Sequence, residues 1–168
     1  MAVRPIVRFP SPLLGTAAAT VDRFDDDLIR LVDDLVDTMR AAPGIGITAP
    51  HIGVPQRVTV IELDPQAGPH AFINPEITWR SSEIARHSEG SISMPGISEE
   101  VERPATVRVL YQTLSGETRE EEAAGLMAVC LQHEIDQLDG IFWIRRLSRL
   151  KRERVLKRFQ KSMAPQAN

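Results

Sequence analysis

The segment that most constrains the fold of this chain is GLMAVCLQHEIDQLDG, residues 125–140. If these residues form a helix, apolar side chains occupy almost every side of it. The apolar residues are Leu126, Met127, Val129, Cys130, Leu131, Ile135 and Leu138. A helix that is apolar all the way round lies in the interior of a domain rather than on its surface. The segment therefore predicts a buried central helix on which the other elements pack.

The same helix carries three polar side chains close together. His133, Glu134 and Gln137 stand at positions i, i+1 and i+4, and residues four apart share a helix face. With histidine in place of Gln137 this would be the pattern His-Glu-x-x-His, in which two imidazoles bind zinc and the glutamate acts as a base. The chain has His-Glu-x-x-Gln instead, so its function depends on what this replacement does.

Composition limits the class of protein. The chain has 168 residues, of which 42% are hydrophobic and 26% are charged, and its net charge is -3. These values predict one soluble globular domain over residues 1–168, and we expect a frayed tail over about residues 162–168. A single cysteine excludes an internal disulfide and favours a reducing, cytoplasmic location. The sequence contains neither a signal-peptide core nor a membrane-spanning apolar run, so we expect no membrane partner.

Hydrophobic periodicity predicts an acidic amphipathic helix near the N-terminus. The residues of its apolar stripe are Leu28, Leu31, Leu35 and Met39. Asp25 or Asp26 can cap its start, and Pro43 followed by Gly44 ends it.

Strand-like patterns follow, over residues 57–63, around Ile73, and over residues 76–87 and 101–112. A last helix is predicted over residues 147–163. Because the strands cluster between helices without alternating with them, the sequence predicts the α+β class.

Three segments could carry chemistry: GIGITAPH (residues 44–51), EGSISMPG (residues 89–96) and QHEIDQLDG (residues 132–140). The first has Gly-x-Gly but lacks the third glycine of a dinucleotide-binding loop, so a tight turn that admits a ligand or backbone is the better interpretation.

Taken together, the three segments resemble the signatures of the peptide deformylase family, Gly-x-Gly-x-Ala-Ala-x-Gln, Glu-Gly-Cys-x-Ser and His-Glu-x-x-His. The resemblance extends over nearly the whole chain and includes FINPEI, ERPATVRV and GLMAVCLQHEIDQLDGIFWIRRLS. It implies the family's α+β fold, in which antiparallel β-sheets surround a central helix, here carrying His-Glu-x-x-Gln, with an N-terminal and a C-terminal helix. It also implies the family's reaction, the metal-assisted hydrolytic removal of the formyl group from N-formylmethionyl peptides.

The resemblance places the family's three metal ligands, one cysteine and two histidines, at Ser91, His133 and Gln137. In the family these ligands hold a divalent metal, usually iron, with water in the open position. A serine hydroxyl is neutral at pH 7 and replaces a thiolate poorly, and a glutamine amide replaces an imidazole poorly. We therefore expect iron, zinc, nickel or cobalt to bind weakly if at all, and deformylase activity to be lost or strongly reduced.

Two alternatives stay open. The chain could be an active deformylase or a related amide hydrolase with an altered metal shell. It could also be a non-catalytic module that binds nascent peptides or ribosomes.

The resemblance assigns catalytic roles to three further positions. Glu134 matches the general acid and base that takes a proton from metal-bound water, with a structural hydrogen-bond acceptor as the alternative. His51 stands where the family has a glutamine that donates to the formyl oxygen, and a neutral imidazole N–H could do the same beside the backbone N–H of Ile92. His51 could instead bind a metal with His133, or be an ordinary hydrogen-bonded histidine.

The resemblance also places a pocket for the substrate's methionine side chain. Its residues are Ile45, Gly46, Gly90, Val129 and Cys130. A methionine-sized pocket is expected because those with side chains are apolar, although core packing would explain the same residues. Cys130 could replace the lost thiolate, but a packed thiol is the better interpretation. Glu89 and Arg103 match a carboxylate–guanidinium pair that braces the second motif.

The last helix is strongly basic. Residues 145–161, which include the two positions before it, contain nine lysines and arginines, at 145, 146, 149, 151, 152, 154, 157, 158 and 161, against the single acid Glu153. Such a cluster indicates an anionic partner, and the resemblance implies contact with ribosomal RNA, with a merely solvated face as the alternative.

Overall fold

The computed structural model describes residues 2–165, and within them it contains three α-helices and seven β-strands. The α-helices are α1 (Asp26–Ala41), α2 (Gly125–Leu138) and α3 (Arg149–Met163). The strands are β1 (Gly46–Thr48), β2 (Val58–Ile61), β3 (His70–Arg80), β4 (Ile84–Ser91), β5 (Met94–Pro104), β6 (Thr106–Gln112) and β7 (Thr118–Ala124). Short 3-10 helices span Pro12–Gly15, Ala49–Ile52 and Trp143–Arg146.

The strands form two antiparallel sheets. Five of them follow the order β1-β2-β3-β6-β7, and β4 pairs with β5 in a separate two-stranded sheet. The α+β class and the antiparallel sheets are therefore confirmed. The strand boundaries differ from the predicted ones because residues 76–87 are divided between the end of β3 and the start of β4. A turn of a few residues joins the two strands there, since Ser81 and Glu83 hydrogen-bond to each other.

The N-terminal helix forms as its sequence predicts. Asp25 caps α1 by accepting hydrogen bonds from the backbone N–H groups of Asp27 and Leu28, which satisfies donors that a helix start leaves open. Leu35 and Met39 are fully buried and belong to a cluster that joins α1 to β1 and β2. The helix thereby fixes the position of the first motif, which begins just after its last turn.

The central helix is buried as expected, except at its start. Leu131, Ile135 and Leu138 of α2 are almost inaccessible, and the first two pack on the five-stranded sheet together with Val109 of β6. Leu126, in the first turn, is 39% exposed because it faces the cavity described below. The first turn of α2 therefore faces a cavity rather than the core.

The C-terminal helix packs on the small sheet. Val155 and Phe159 of α3 are buried in a cluster with Met94 and Val101 of β5 and with Trp143. The helix includes residues 162 and 163, which were expected to fray, and residues 166–168 of the expected tail lie outside the described residues. None of the helices in residues 2–165 is long and apolar enough to cross a membrane.

An extended N-terminal segment, residues 2–9, ties α1 to the first two motifs. The backbone N–H of Arg4 donates to Thr38 Oγ1 in α1 at 2.9 Å. Further along, the N–H of Val7 donates to the carbonyl of His51 at 2.7 Å, and the N–H of Phe9 donates to the carbonyl of Ser93 at 2.9 Å. These bonds hold the segment against the motif-bearing part of the fold.

Candidate functional site

The three motif segments meet at a cavity of about 690 Å³. This volume lies within the range of about 300–1,000 Å³ that is usual for small-ligand sites. The cavity brings together ten of the eleven site residues that the sequence predicted. They are Ile45, Gly46, His51, Gly90, Ser91, Ile92, Val129, Cys130, His133 and Glu134. Gln137 is not among the lining residues.

His133 is held through its Nδ1 by a buried ionic cluster. Its Nδ1 lies 2.8 Å from Glu89 Oε1, and Arg103 donates to both carboxylate oxygens of Glu89, from Nε at 2.6 Å and from Nη2 at 2.9 Å. Burial by itself raises the pKa of Glu89, but the hydrogen bonds from His133 and Arg103 outweigh it and lower that pKa to about 2. Glu89 is therefore ionised, and it accepts a hydrogen bond from the N–H at Nδ1 of His133.

The cluster continues into α2 and beyond it. Arg103 also donates to Asp136 Oδ2 at 2.9 Å, and Arg146 donates to both oxygens of the same carboxylate at 2.6 and 2.8 Å. We call Glu89, Arg103, His133, Asp136 and Arg146 the braced cluster. The Glu89–Arg103 pair expected from the sequence is confirmed. Asp136 stands one helix turn after His133, but both of its partners lie outside α2, so no pattern within the helix indicated its role.

Glu134 follows His133 in the chain but has a different environment. Its side chain is 5% exposed, and Oε2 has no hydrogen-bond partner among the described residues. A Cβ atom at Gly46 would lie 2.6 Å from Glu134 Oε1, so only glycine fits beside this carboxylate without displacing it. Burial raises the pKa of Glu134 to about 7, against the lowering effect of His133.

His51 is also buried, lines the same cavity and carries a single ring N–H. The backbone N–H of Thr48 donates to His51 Nδ1 at 2.9 Å, which fixes the proton of the neutral ring on Nε2. That Nε2 is buried and has no acceptor among the described residues. Burial, and secondarily the charge of His133, lowers the pKa of His51 to about 3, so the ring is neutral at pH 7. We call His51 and Glu134 the open pair.

Ile92 lines the cavity at the end of the second motif. Its backbone N–H has no acceptor within residues 2–165, whereas its carbonyl accepts a hydrogen bond from Arg8 Nη1 at 2.7 Å. Ile92 and His51 thus each carry an N–H without an acceptor in residues 2–165, and both residues line the cavity. Donors of this kind bind a carbonyl oxygen or an oxyanion where they converge on it.

The other two positions that match metal ligands bind to the chain itself. Ser91 Oγ accepts a hydrogen bond from the N–H of Ser93 at 3.1 Å. Gln137 is 3% exposed, and its Nε2 donates to the carbonyl of Leu14 at 2.9 Å. Sequence spacing placed Gln137 beside His133, but the amide group is instead a link between α2 and the segment before α1. In residues 2–165 no three His, Cys, Asp or Glu side chains are grouped so that they could hold a metal ion.

Apolar side chains form much of the remaining lining. Ile45 is 46% exposed at the mouth, and Leu126 and Val129 of α2 face the same cavity. Cys130 is buried, as expected, and burial followed by the charge of Glu134 raises the pKa of its thiol to about 12. The thiol is therefore protonated at neutral pH and is not a ready metal ligand.

The sequence did not point to two parts of the lining. One is the N-terminal segment, which contributes Val3, Arg4, Ile6 and Arg8. The other is His87, which is exposed and borders the cavity. The alternation of Arg4, Ile6 and Arg8 was visible in the sequence, but nothing local tells which element the shared face meets.

The basic C-terminal region is partly engaged within the chain. Five of its nine cationic side chains contact described residues, namely Arg146, Arg149, Lys151, Arg152 and Arg158. The other four, Arg145, Arg154, Lys157 and Lys161, are exposed, and their side chains make no hydrogen bond or ion pair within residues 2–165. The last three stand at i, i+3 and i+7, and they share one face of α3.

Comparison with known proteins agrees with the fold and the motifs. The sequence model of the family "Polypeptide deformylase" matches residues 3–153. A "Peptide deformylase-like" protein of Rhizobium meliloti strain 1021 is 76% identical over 161 residues, which cover 96% of this chain and 94% of that protein. A "Peptide deformylase" of Brucella suis biovar 1 is 45% identical and covers 100% of this chain and 98% of its own length.

A crystal structure of peptide deformylase from Ehrlichia chaffeensis in complex with actinonin superimposes with a TM-score of 0.90 at 33% identity, covering 98% of this chain and all of that one. The matches extend over the sheets, the three helices and all three motif segments. This chain therefore belongs to the polypeptide deformylase family.

Proposed function

We propose that this chain keeps a deformylase-type pocket for peptide N-termini but has lost, or strongly reduced, metal-assisted deformylation. One observation carries the proposal. Two of the three positions that match metal ligands, Ser91 and Gln137, are occupied by neutral side chains that hydrogen-bond within the chain.

The donor chemistry does not fit the family's metal. A divalent iron or zinc site takes imidazole nitrogens, thiolates or carboxylates, and His133 is the one such group at the three positions. Cys130 does not compensate, because burial keeps its thiol protonated. A metal-bound water is therefore not part of the chemistry we propose for this chain. A cytoplasmic location, expected from the single cysteine, is part of the same proposal.

The remaining groups are suited to binding a formyl or acyl peptide. A ligand carbonyl oxygen can accept hydrogen bonds from the N–H of Ile92 and from His51 Nε2, both of which lack acceptors among the described residues. The methionine side chain would enter the apolar part of the cavity next to Leu126 and Val129. That the Ehrlichia protein with this fold binds actinonin is consistent with a ligand site in the family.

Glu134 alone is a weak basis for hydrolysis. Its pKa is about 7, whereas free water has a pKa of 15.7, so full proton transfer from water to Glu134 costs about 12 kcal/mol. A metal normally removes most of this cost by acidifying the bound water. Glu134 can still orient a water molecule or accept a hydrogen bond from the ligand.

The decisive assay is hydrolysis of a formyl-Met tripeptide under anaerobic conditions, with iron, nickel, cobalt or zinc added in turn. Glu134→Gln is the control for contaminating host enzyme. We expect no turnover above that control, together with measurable binding of the same peptide by calorimetry. Turnover that disappears in Glu134→Gln would instead establish the alternative, an active hydrolase with an altered metal shell.

Contact with ribosomal RNA is a second candidate function. It is favoured by the exposed cationic face of α3 formed by Arg154, Lys157 and Lys161. Replacing all three with glutamine should weaken salt-sensitive ribosome binding. The matched control removes three cations that already pair with acids on the sheets, namely Arg86, Arg108 and Arg119. Equal binding by both triple variants would show that α3 is not the docking surface.

A further inference from the structure

The N-terminal segment forms one wall of the cavity. Side chains at alternate positions of an extended segment share a face, and Arg4, Ile6 and Arg8 all line the cavity. Thr38 and Ala41 of α1 line it next to them. We call these five residues the N-terminal wall. It carries two guanidinium groups in a site whose other walls are mainly apolar.

The two arginines of this wall differ in how their charge is balanced. Arg4 Nη1 donates to Asp34 Oδ2 at 2.9 Å, so its charge is compensated within the chain. Arg8 makes one hydrogen bond, from Nη1 to the carbonyl of Ile92, and has no acidic partner among residues 2–165. A guanidinium has five N–H donors in a fixed fork, so most of those of Arg8 remain available to a ligand.

Arg8 and the vacant N–H donor meet at the same residue. The Ile92 carbonyl is held by Arg8, and the Ile92 N–H has no acceptor within the described chain. A ligand whose carbonyl oxygen binds the Ile92 N–H therefore lies within one residue's length of the Arg8 guanidinium. In an N-acyl peptide, the acyl carbonyl carbon joins the methionine nitrogen on one side to the acyl chain on the other. If the methionine side chain lies against α2, the acyl chain points away from α2, toward the N-terminal wall.

We propose that the cavity binds N-acyl methionyl peptides whose acyl group ends in a carboxylate, such as a succinyl group, and that Arg8 binds this carboxylate. This inference rests on the proposed function, because it assumes that the pocket accepts a peptide N-terminus. A carboxylate matches the guanidinium fork in shape and charge. Two carbon atoms separate the carbonyl from the carboxylate in a succinyl group. This length allows the carbonyl oxygen to bind the Ile92 N–H while the carboxylate binds Arg8, which is hydrogen-bonded to the Ile92 carbonyl.

The acidic groups of the cavity do not oppose such a ligand at Arg8. Glu89 is neutralised by Arg103 and His133 in the braced cluster. Glu134 lies beside Gly46 of the first motif, and Asp34, behind the wall, is paired with Arg4. Of the two arginines that line the cavity, Arg8 is the one without an acidic partner among residues 2–165.

The test compares three fluorescent Met-Ala-Ser peptides that differ only at the N-terminus: formyl, succinyl and succinamyl. Succinamyl has the shape of succinyl without its charge. In the native protein at low salt we expect succinyl to bind about tenfold more tightly than succinamyl, as one charge-assisted pair at an accessible site provides. The ratio should fall toward one in Arg8→Met, recover in part in Arg8→Lys, and persist in Arg86→Met, which removes the same charge from an exposed strand outside the cavity lining.

The outcomes separate this inference from the proposed function. If the three peptides bind the native protein equally well, or if Arg8→Met keeps the tenfold ratio, the pocket stands and the role of Arg8 is wrong. If the formyl peptide binds but both longer acyl groups are rejected, the N-terminal wall does not accept an acyl chain. If no peptide binds, the proposed function itself fails, and this inference fails with it.

Discussion

His133 and Glu134 are consecutive residues of one buried helix, yet the structure treats them in opposite ways. His133 belongs to the braced cluster, in which each charged group is opposed by one or two others at 2.6–2.9 Å. Glu134 belongs to the open pair, in which Glu134 Oε2 and His51 Nε2 have no partner in the described chain. A native protein rarely leaves buried polar atoms unpaired, so the open pair marks where a ligand or water must supply the missing bonds.

The difference also assigns two roles, stability and ligand binding, to neighbouring residues of one motif. Buried ion pairs with complete hydrogen bonding give a rigid local structure but little net stability, and removing one partner is strongly destabilising. Unpaired buried groups lower stability by about 1–3 kcal/mol each and are retained where a ligand gains from them. Residues of the braced cluster are therefore expected to govern stability, and residues of the open pair to govern binding.

The largest effect is expected on the braced side. Arg103→Ala leaves Glu89 and Asp136 buried with one partner fewer, which should lower the free energy of unfolding by about 3–5 kcal/mol in urea denaturation. Arg86→Ala, which breaks the exposed Arg86–Glu102 pair on the neighbouring strands, should cost under about 1 kcal/mol. Similar losses of unfolding free energy in the two variants would mean that the braced cluster does not stabilise the fold.

The two replaced ligand positions can be restored to the residues that the family has there. Ser91→Cys and Gln137→His together should raise the affinity for zinc or cobalt by at least about 1,000-fold, roughly 4 kcal/mol, because metal ligands act as a set. Each single replacement should recover only a small part of that gain. Competition with a chromogenic chelator measures all four proteins. If both single variants bind metal as tightly as the double one, the two replaced positions do not explain weak binding.

Glu134 should make stability depend on pH in the metal-free protein. Its pKa in the folded chain is about 7, against an ordinary value of 4.5. Between these values the unfolded chain has released a proton that the folded chain still holds, so stability falls as pH rises from about 4.5 to 7. The native protein should lose about 3 kcal/mol relative to Glu134→Gln over this window, with little further change above pH 8. A constant difference from pH 4.5 to 8 would exclude a protonated Glu134.

Much of this contrast could be predicted from the sequence, because it lies in local patterns. The apolar surface of residues 125–140 predicted the buried helix, and the resemblance to the family implied that Glu134, His51 and Ile92 belong to one site. The parts that escaped prediction are long-range. Arg103 and Asp136 are 33 residues apart, and no local pattern indicates that they meet.

Gln137 illustrates the same limit within the motif itself. Helical spacing correctly placed it one turn after His133, but its hydrogen-bond partner is the Leu14 carbonyl, 123 residues away in sequence. The tertiary contact decides where the amide points. A ligand position inferred from spacing is therefore a statement about the helix face, and the contacts of that face determine the function.

Two glycines of the site allow the sharpest test of the contrast between the braced and the open side. A Cβ at Gly90 would lie 2.7 Å from the carbonyl oxygen of Ile97, whereas a Cβ at Gly46 would lie 2.6 Å from Glu134 Oε1. The obstacle at Gly90 is backbone of the paired strand β5, so Gly90→Ala should cost about 2–3 kcal/mol in urea denaturation. The obstacle at Gly46 is the end of a side chain that can turn, so Gly46→Ala should cost about 1 kcal/mol.

Repeating both substitutions in a Glu134→Ala background separates the two causes. The cost of Gly46→Ala should disappear there, because the only group in its way has been removed, while that of Gly90→Ala should persist. If the cost of Gly46→Ala also persists, the first motif is rigid for reasons unrelated to Glu134. The Glu134 carboxylate would then lie against a rigid first motif. It would lack the freedom to adjust to a ligand that we assign to the open pair.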